Sequence, residues 1–122
     1  MGSDIKAIVV GLVLNGEAEK ALKLLAEHYG VNVPQIEVGL PRGHSRNSFG
    51  CYSAKSKTIS VLNSDVLKEP YVILHEFYHH LRTTAEIKHK GTEKNANKFA
   101  EEFIQAYRTN IIQWKNERPL HL

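Results

Sequence analysis

Two histidines and a glutamate carry most of the chemistry this sequence offers. They are His75, Glu76 and His79 in the run HEFYH, an HExxH pattern within residues 70–82, PYVILHEFYHHLR. On an α-helix, positions i and i+4 share one face a turn apart, so His75 and His79 can aim two imidazole nitrogens at one ion. Imidazole nitrogens suit zinc, and Glu76 is placed beside the metal to take a proton from a water. The plainer alternative is a pair of histidines bonded to carbonyls, since HExxH is short and this chain is rich in both residue types.

The helix itself has local support. Pro70 fits a first helical position, where the missing N–H would have lacked a partner anyway, and Glu69 favours the positive end of the helix dipole. Tyr71, Leu74, Tyr78 and Leu81 recur at helical spacing, while Val72, Ile73 and Phe77 carry the apolar surface nearly all the way round. Such a helix belongs at the centre of a fold. Buried histidines then need partners, which favours a ligand role.

Catalytic zinc is usually held by three protein ligands plus a water. In the extended pattern HExxHxxGxxH the glycine and third histidine would fall on Arg82 and Ala85, so that arrangement fails. The next candidate is Glu93, in Thr92-Glu93-Lys94-Asn95-Ala96-Asn97. Glu93 and Asn97 are four apart and share a helix face, and the small Ala96 and Ala100 would let two helices approach closely. Glu93 then completes a His-His-Glu set, with Asn97 supporting His75 or a nearby backbone group. Alone, Glu93 would read as a first-turn acid behind a Thr92 cap.

HEFYH followed by EKNAN resembles the gluzincin zinc peptidases, whose pattern is HExxH plus a downstream Glu with an acidic or amide residue four further on. The short chain and the hairpin ahead of the helix look most like the minigluzincins, and the Glu93–Asn97 segment is similar to that of ImmA/IrrE-type peptidases. Here the position four beyond the Glu is Asn97. The resemblance implies a zincin-like metallopeptidase in which His75, His79 and Glu93 hold Zn2+ and Glu76 is the general base. It implies a peptide or protein substrate bound along an edge strand, for which residues 49–53 are the candidate. Gly50 and Tyr52 would offer backbone partners, with Cys51 between them a small buried thiol. Tyr78, His80, His89 and Tyr107 remain open as the group facing the oxyanion. The resemblance further implies latency, and the apolar tail at residues 118–122 (RPLHL) would be the cleft-filling segment. Because zinc needs neutral imidazoles, activity is expected to fall as pH drops through the histidine range.

The remaining elements must position this site. Residues 4–14 are apolar, with Ile5, Ile8, Val9 and Leu12 at helical spacing, although β-branching leaves a strand open. Residues 17–29 read as a helix whose stripe is Ala18, Ala21, Leu22, Leu25 and Ala26, stopped by Gly30. Residues 35–38, 49–53 and 58–62 read as strands, the last two a hairpin across Ala54–Lys57 that pairs with the first. Residues 39–48 form a loop made basic by Arg42, His44 and Arg46. A long helix runs from Thr92 to about Glu117, keeping period through Phe99, Phe103, Ile104, Tyr107, Ile111 and Trp114. The fold expected is α+β: a small, three-stranded, mainly antiparallel sheet packed on the HExxH helix and the C-terminal helix, with N-terminal helices, in one domain spanning 1–122.

With 122 residues, the chain can build a core without disulfide staples, and its single cysteine suggests a reducing compartment. The net charge of +3 is mild and spread out, so nucleic acid is not implied. Residues 7–14 are too few to span a bilayer and have no convincing cleavage site, which points to a cytoplasmic protein with no membrane partner. A homo-oligomer stays open. Two competing readings remain: a non-enzymatic module whose basic segments, residues 42–46 and 55–57, bind an acidic partner, and a zinc protein without turnover.

Overall fold

The structure is a computed structural model, and it describes residues 2–43, 48–84 and 93–117, with side chains from residue 5 to residue 112 within those ranges. The elements follow as α1 (Gly2–Leu14), α2 (Ala18–Tyr29), β1 (Gln35–Val38), β2 (Gly50–Ser53), β3 (Thr58–Val61), a 3₁₀ turn (Ser64–Lys68), α3 (Pro70–Thr84) and α4 (Glu93–Glu117). The architecture is α+β, as expected. Among the described residues no helix is long and apolar enough to cross a membrane.

Local sequence explains most boundaries. In α2 the buried residues are Ala18, Ala21, Leu22, Leu25 and Ala26, the stripe expected from spacing. Its end is set by Gly30 at φ 70°, a left-handed conformation that glycine adopts without strain. The Gly30 and Val31 amides then donate to the Glu27 and Ala26 carbonyls, which the helix end would otherwise leave unpaired. The side chain of Asn63 accepts from the Val66 amide and opens the 3₁₀ turn, and Pro70 starts α3.

The sheet corrects the expectation of mainly antiparallel pairing. Its order is β1-β3-β2; β1 pairs with β3 in parallel, and only β2 and β3 form an antiparallel hairpin. The connection from β1 to β2 is long enough to skip one strand width, roughly 4.8 Å. The chain returning through the hairpin then fills the gap. All four residues of β3 are buried, which suits a strand with three β-branched residues in four lying between two neighbours.

A second correction concerns α1. Residues 9, 10 and 13 are its buried valines, while Ile8 stands 53% exposed. Of the expected stripe Val9 is fully buried and Ile5 and Leu12 pack half-buried against the core, but Ile8 turns outward and Val10 and Val13 take inner positions instead. A helix apolar on every side carries no mark of which face is inner, and packing against α2 and α4 decides it.

One core runs between the layers. Val9, Val10 and Val13 of α1, Leu22 and Leu25 of α2, and Ile59 and Val61 of β3 meet Ile73, Leu74, Phe77 and Leu81 of α3. Ala100 and Phe103 of α4 close it. Ala96 and Ala100 are fully buried, so α4 packs through small residues where it lies along α3.

Candidate metal centre

The three residues expected to act as ligands converge. His75 and His79 project from one face of α3, and Glu93 meets them from the first turn of α4. His75 Nε2 lies 2.6 Å from Glu93 Oε2, and His79 Nε2 lies 3.2 Å from Glu93 Oε1. One potential ligand atom from each residue falls within 4.8 Å of the others. Two imidazole nitrogens and a carboxylate form a donor set suited to catalytic zinc. The same distances also suit hydrogen bonds from the imidazoles to the carboxylate.

Asn97 supports the cluster from one turn further along α4. Its Oδ1 lies 2.9 Å from His75 Nδ1. An amide oxygen only accepts, so Nδ1 carries the proton, and a neutral ring would keep its Nε2 lone pair for an ion held between it, His79 and Glu93 in place of the direct contact. That tautomer is the one a metal at Nε2 requires.

Glu76 is buried, 7% exposed, beneath the edge of β2. Burial pushes its carboxyl up to about 7; His75 opposes the shift and the Glu93 charge adds to it. Burial also lowers the His79 imidazole below its ordinary value, against the pull of Glu93, which favours the neutral ring. Arg82, one turn beyond His79, acts in the same direction as burial. Its Nε is buried without a hydrogen-bond partner among the described residues. Arg82 is a neighbour of the site that the motif gave no reason to single out.

The edge strand lies where the resemblance implies. The Leu62 amide donates to the Phe49 carbonyl, and pairing in an antiparallel ladder alternates from there. Residues 51 and 53 consequently bond to β3, while Gly50 and Tyr52 turn their backbone groups to the outer edge. No strand pairs with that edge among the described residues. A Cβ at Gly50 would come within 2.8 Å of Val72 Cγ1 and 3.5 Å of Glu76 Cγ. Glycine therefore lets β2 sit directly over the helix. The half-buried Cys51 thiol is pushed up chiefly by burial and bonds to the Ser60 side chain.

Three of the four groups left open for the oxyanion pack within the fold. His80 is fully buried: its Nε2 lies 2.7 Å from the Asn32 carbonyl, and the Tyr52 hydroxyl lies 2.7 Å from its Nδ1. The carbonyl accepts only, so Nε2–H donates to it and Nδ1 accepts from Tyr52. Tyr107 lies against Gly11 at the junction of α1 and α4. Tyr78 packs its ring on Phe99. His89 lies outside the described residues, as do Thr92, His44, Arg46 and the tail at 118–122. Tyr71, which helical spacing assigned to the apolar surface of α3, instead stands 38% exposed, its ring 6.2 Å from that of His75.

Comparison with protein-family models, curated proteins and solved structures finds no match in any of the three. The resemblance to gluzincin peptidases rests on the residues themselves, and the site is defined by its own geometry.

Proposed function

We propose that the chain is a zinc-dependent peptide hydrolase of the gluzincin type, acting through His75, His79, Glu93 and Glu76. The observation that carries this reading is the meeting of both imidazole Nε2 atoms with both oxygens of one carboxylate, beside a buried glutamate. When bound, zinc supplies a Lewis acid that polarises the scissile carbonyl and acidifies a water.

The chain's own residues supply the rest. Asn97 holds the His75 ring in the tautomer that presents Nε2. Glu76, with a carboxyl near 7, takes a proton from the attacking water and passes it to the leaving amine. The outer edge of β2, unpaired among the described residues, offers the Gly50 and Tyr52 backbone groups to an extended peptide, which would join the sheet as a fourth strand. The side chains of Cys51 and Tyr52 are bonded inside the protein, so that contact is made through backbone alone.

The test is zinc content together with turnover. Tag-free protein is stripped with chelator, reloaded with zinc and measured by mass spectrometry and on a quenched peptide pool. The expected result is one zinc per chain, with hydrolysis that Glu76→Gln lowers by about a thousandfold while zinc is retained. A stripped chain that takes up no zinc would leave the cluster as a hydrogen-bonded latch between α3 and α4. Zinc uptake with no turnover on any pool would leave a non-enzymatic zinc protein.

A further inference from the structure

A cavity of about 570 Å³ opens one helical turn from the His-His-Glu cluster. Its lining includes Phe49, Leu62, Val66, Tyr71 and Val72, together with Asn63, Asp65 and Glu69. Phe49, Leu62 and Tyr71 are 62%, 39% and 38% exposed. Single exposed apolar residues are ordinary, but three around one cavity, two of them aromatic, point to a binding surface.

Its position ties it to the cleft. Val72 lies beneath Gly50, and Phe49 immediately precedes β2. Tyr71 and Val72 stand a turn before His75 and Glu76, which is roughly 5 Å along the helix axis. An extended peptide advances about 3.3 Å per residue. A peptide laid on the β2 edge with its scissile carbonyl at the cluster therefore carries a side chain over this cavity one or two residues away.

The lining also has a charge. Among the described residues it holds two carboxylates and no cation, on a chain with 16 Lys and Arg against 13 Asp and Glu. Asp65 and Glu69 are exposed and form no ion pair among the described residues. Asn63 differs from them, since its side-chain oxygen is taken by the Val66 amide. Across the cleft, Glu93 and Glu101 act on Tyr71. A large aliphatic side chain would fill the walls but leave both carboxylates unanswered. Arginine answers both features: its stem lies on Leu62 and Val72, its planar head stacks on an aromatic ring, and its N–H groups reach carboxylate.

We propose that this cavity is a side-chain subsite for arginine, which makes the substrates peptides carrying a basic residue one or two positions from the cleaved bond. The subsite rests on the peptidase reading for its role, but binding can be measured without turnover. The experiment uses zinc-loaded Glu76→Gln protein and fluorescein-labelled alanine–serine nonapeptides that differ at one central residue, read by fluorescence polarisation. The arginine peptide should bind about tenfold more tightly than the leucine peptide. Asp65→Asn with Glu69→Gln should abolish that difference while leaving the leucine peptide unchanged.

Equal affinities, a tighter leucine peptide, no binding of the arginine peptide at ~1 mM protein, or a preference that survives the double substitution would each overturn the subsite. The arginine preference without any hydrolysis by the zinc-loaded wild type would keep the subsite and remove the peptidase. Hydrolysis with no such preference would do the reverse.

Discussion

The two faces of α3 use histidine in different ways, and His79 and His80 show how. They are adjacent in the chain, yet successive helical residues point about 100° apart. The His79 side chain is 20% exposed and its Nε2 meets Glu93 Oε1, from another helix. His80 is sealed in the core, with one ring nitrogen on the Asn32 carbonyl and the other on the Tyr52 hydroxyl. A nitrogen lone pair available to an ion distinguishes a possible ligand from a structural strut. Residue type and burial do not make that distinction alone.

Exchanging each histidine for alanine should separate these roles most strongly. His79→Ala is expected to weaken zinc binding by more than the ~10–100-fold that loss of a supporting partner costs, measured by competition with a chromogenic chelator. Metal-free stability should change by about 1 kcal/mol or less. His80→Ala should do the opposite. It leaves the Tyr52 hydroxyl and the Asn32 carbonyl without the partner they share and opens a cavity where a fully buried ring stood, costing about 2–4 kcal/mol in urea denaturation. The folded fraction should still take up zinc. If His80→Ala abolished zinc uptake in protein that remained folded, the division between the faces would fail.

Glu76 adds a pH axis to the comparison. In the metal-free chain its carboxyl rises from an ordinary 4.5 to about 7, so the folded state holds this proton more tightly than the unfolded chain. The resulting stabilisation is complete below about 4.5 and is lost as pH rises through about 7. Glu76→Gln does not ionise. Its stability relative to wild type, with chelator present, should therefore rise between pH 4.5 and 7 and level off above, by on the order of 3 kcal/mol. A flat difference across that range would show that Glu76 is not buried as described.

Asn97 and Gly50 sharpen the candidate metal face by smaller amounts. Asn97→Ala frees the His75 ring to turn, and zinc affinity should fall about tenfold with little change in metal-free stability. Gly50→Ala places a methyl against Val72 and near Glu76. Shifting β2 off the helix should cost about 1–2 kcal/mol and lower turnover more than zinc affinity. Equal loss of both would mean that the strand supports the metal rather than the peptide.

The helices were legible to different degrees. In α2, polar and apolar residues segregate, and the buried set follows from spacing. In α1 they do not, and neighbouring helices chose the inner face. The hairpin was legible from its four-residue turn, but the parallel pairing of β1 was not, because strand spacing carries no mark of partner or direction. His80 read as one of several polar groups near the motif. Its partners Tyr52 and Asn32 lie 28 and 48 residues away.

The candidate site divides along the same line. HExxH placed two imidazoles on one face of a helix because a helical turn is a local geometry, fixed by neighbours in sequence. Whether Glu93 and Asn97, 18 and 22 residues beyond His75, would reach that face was decided only when α4 packed on α3 through Ala96 and Ala100. Local periodicity determines which side chains share a face. Contacts between distant elements determine what that face meets.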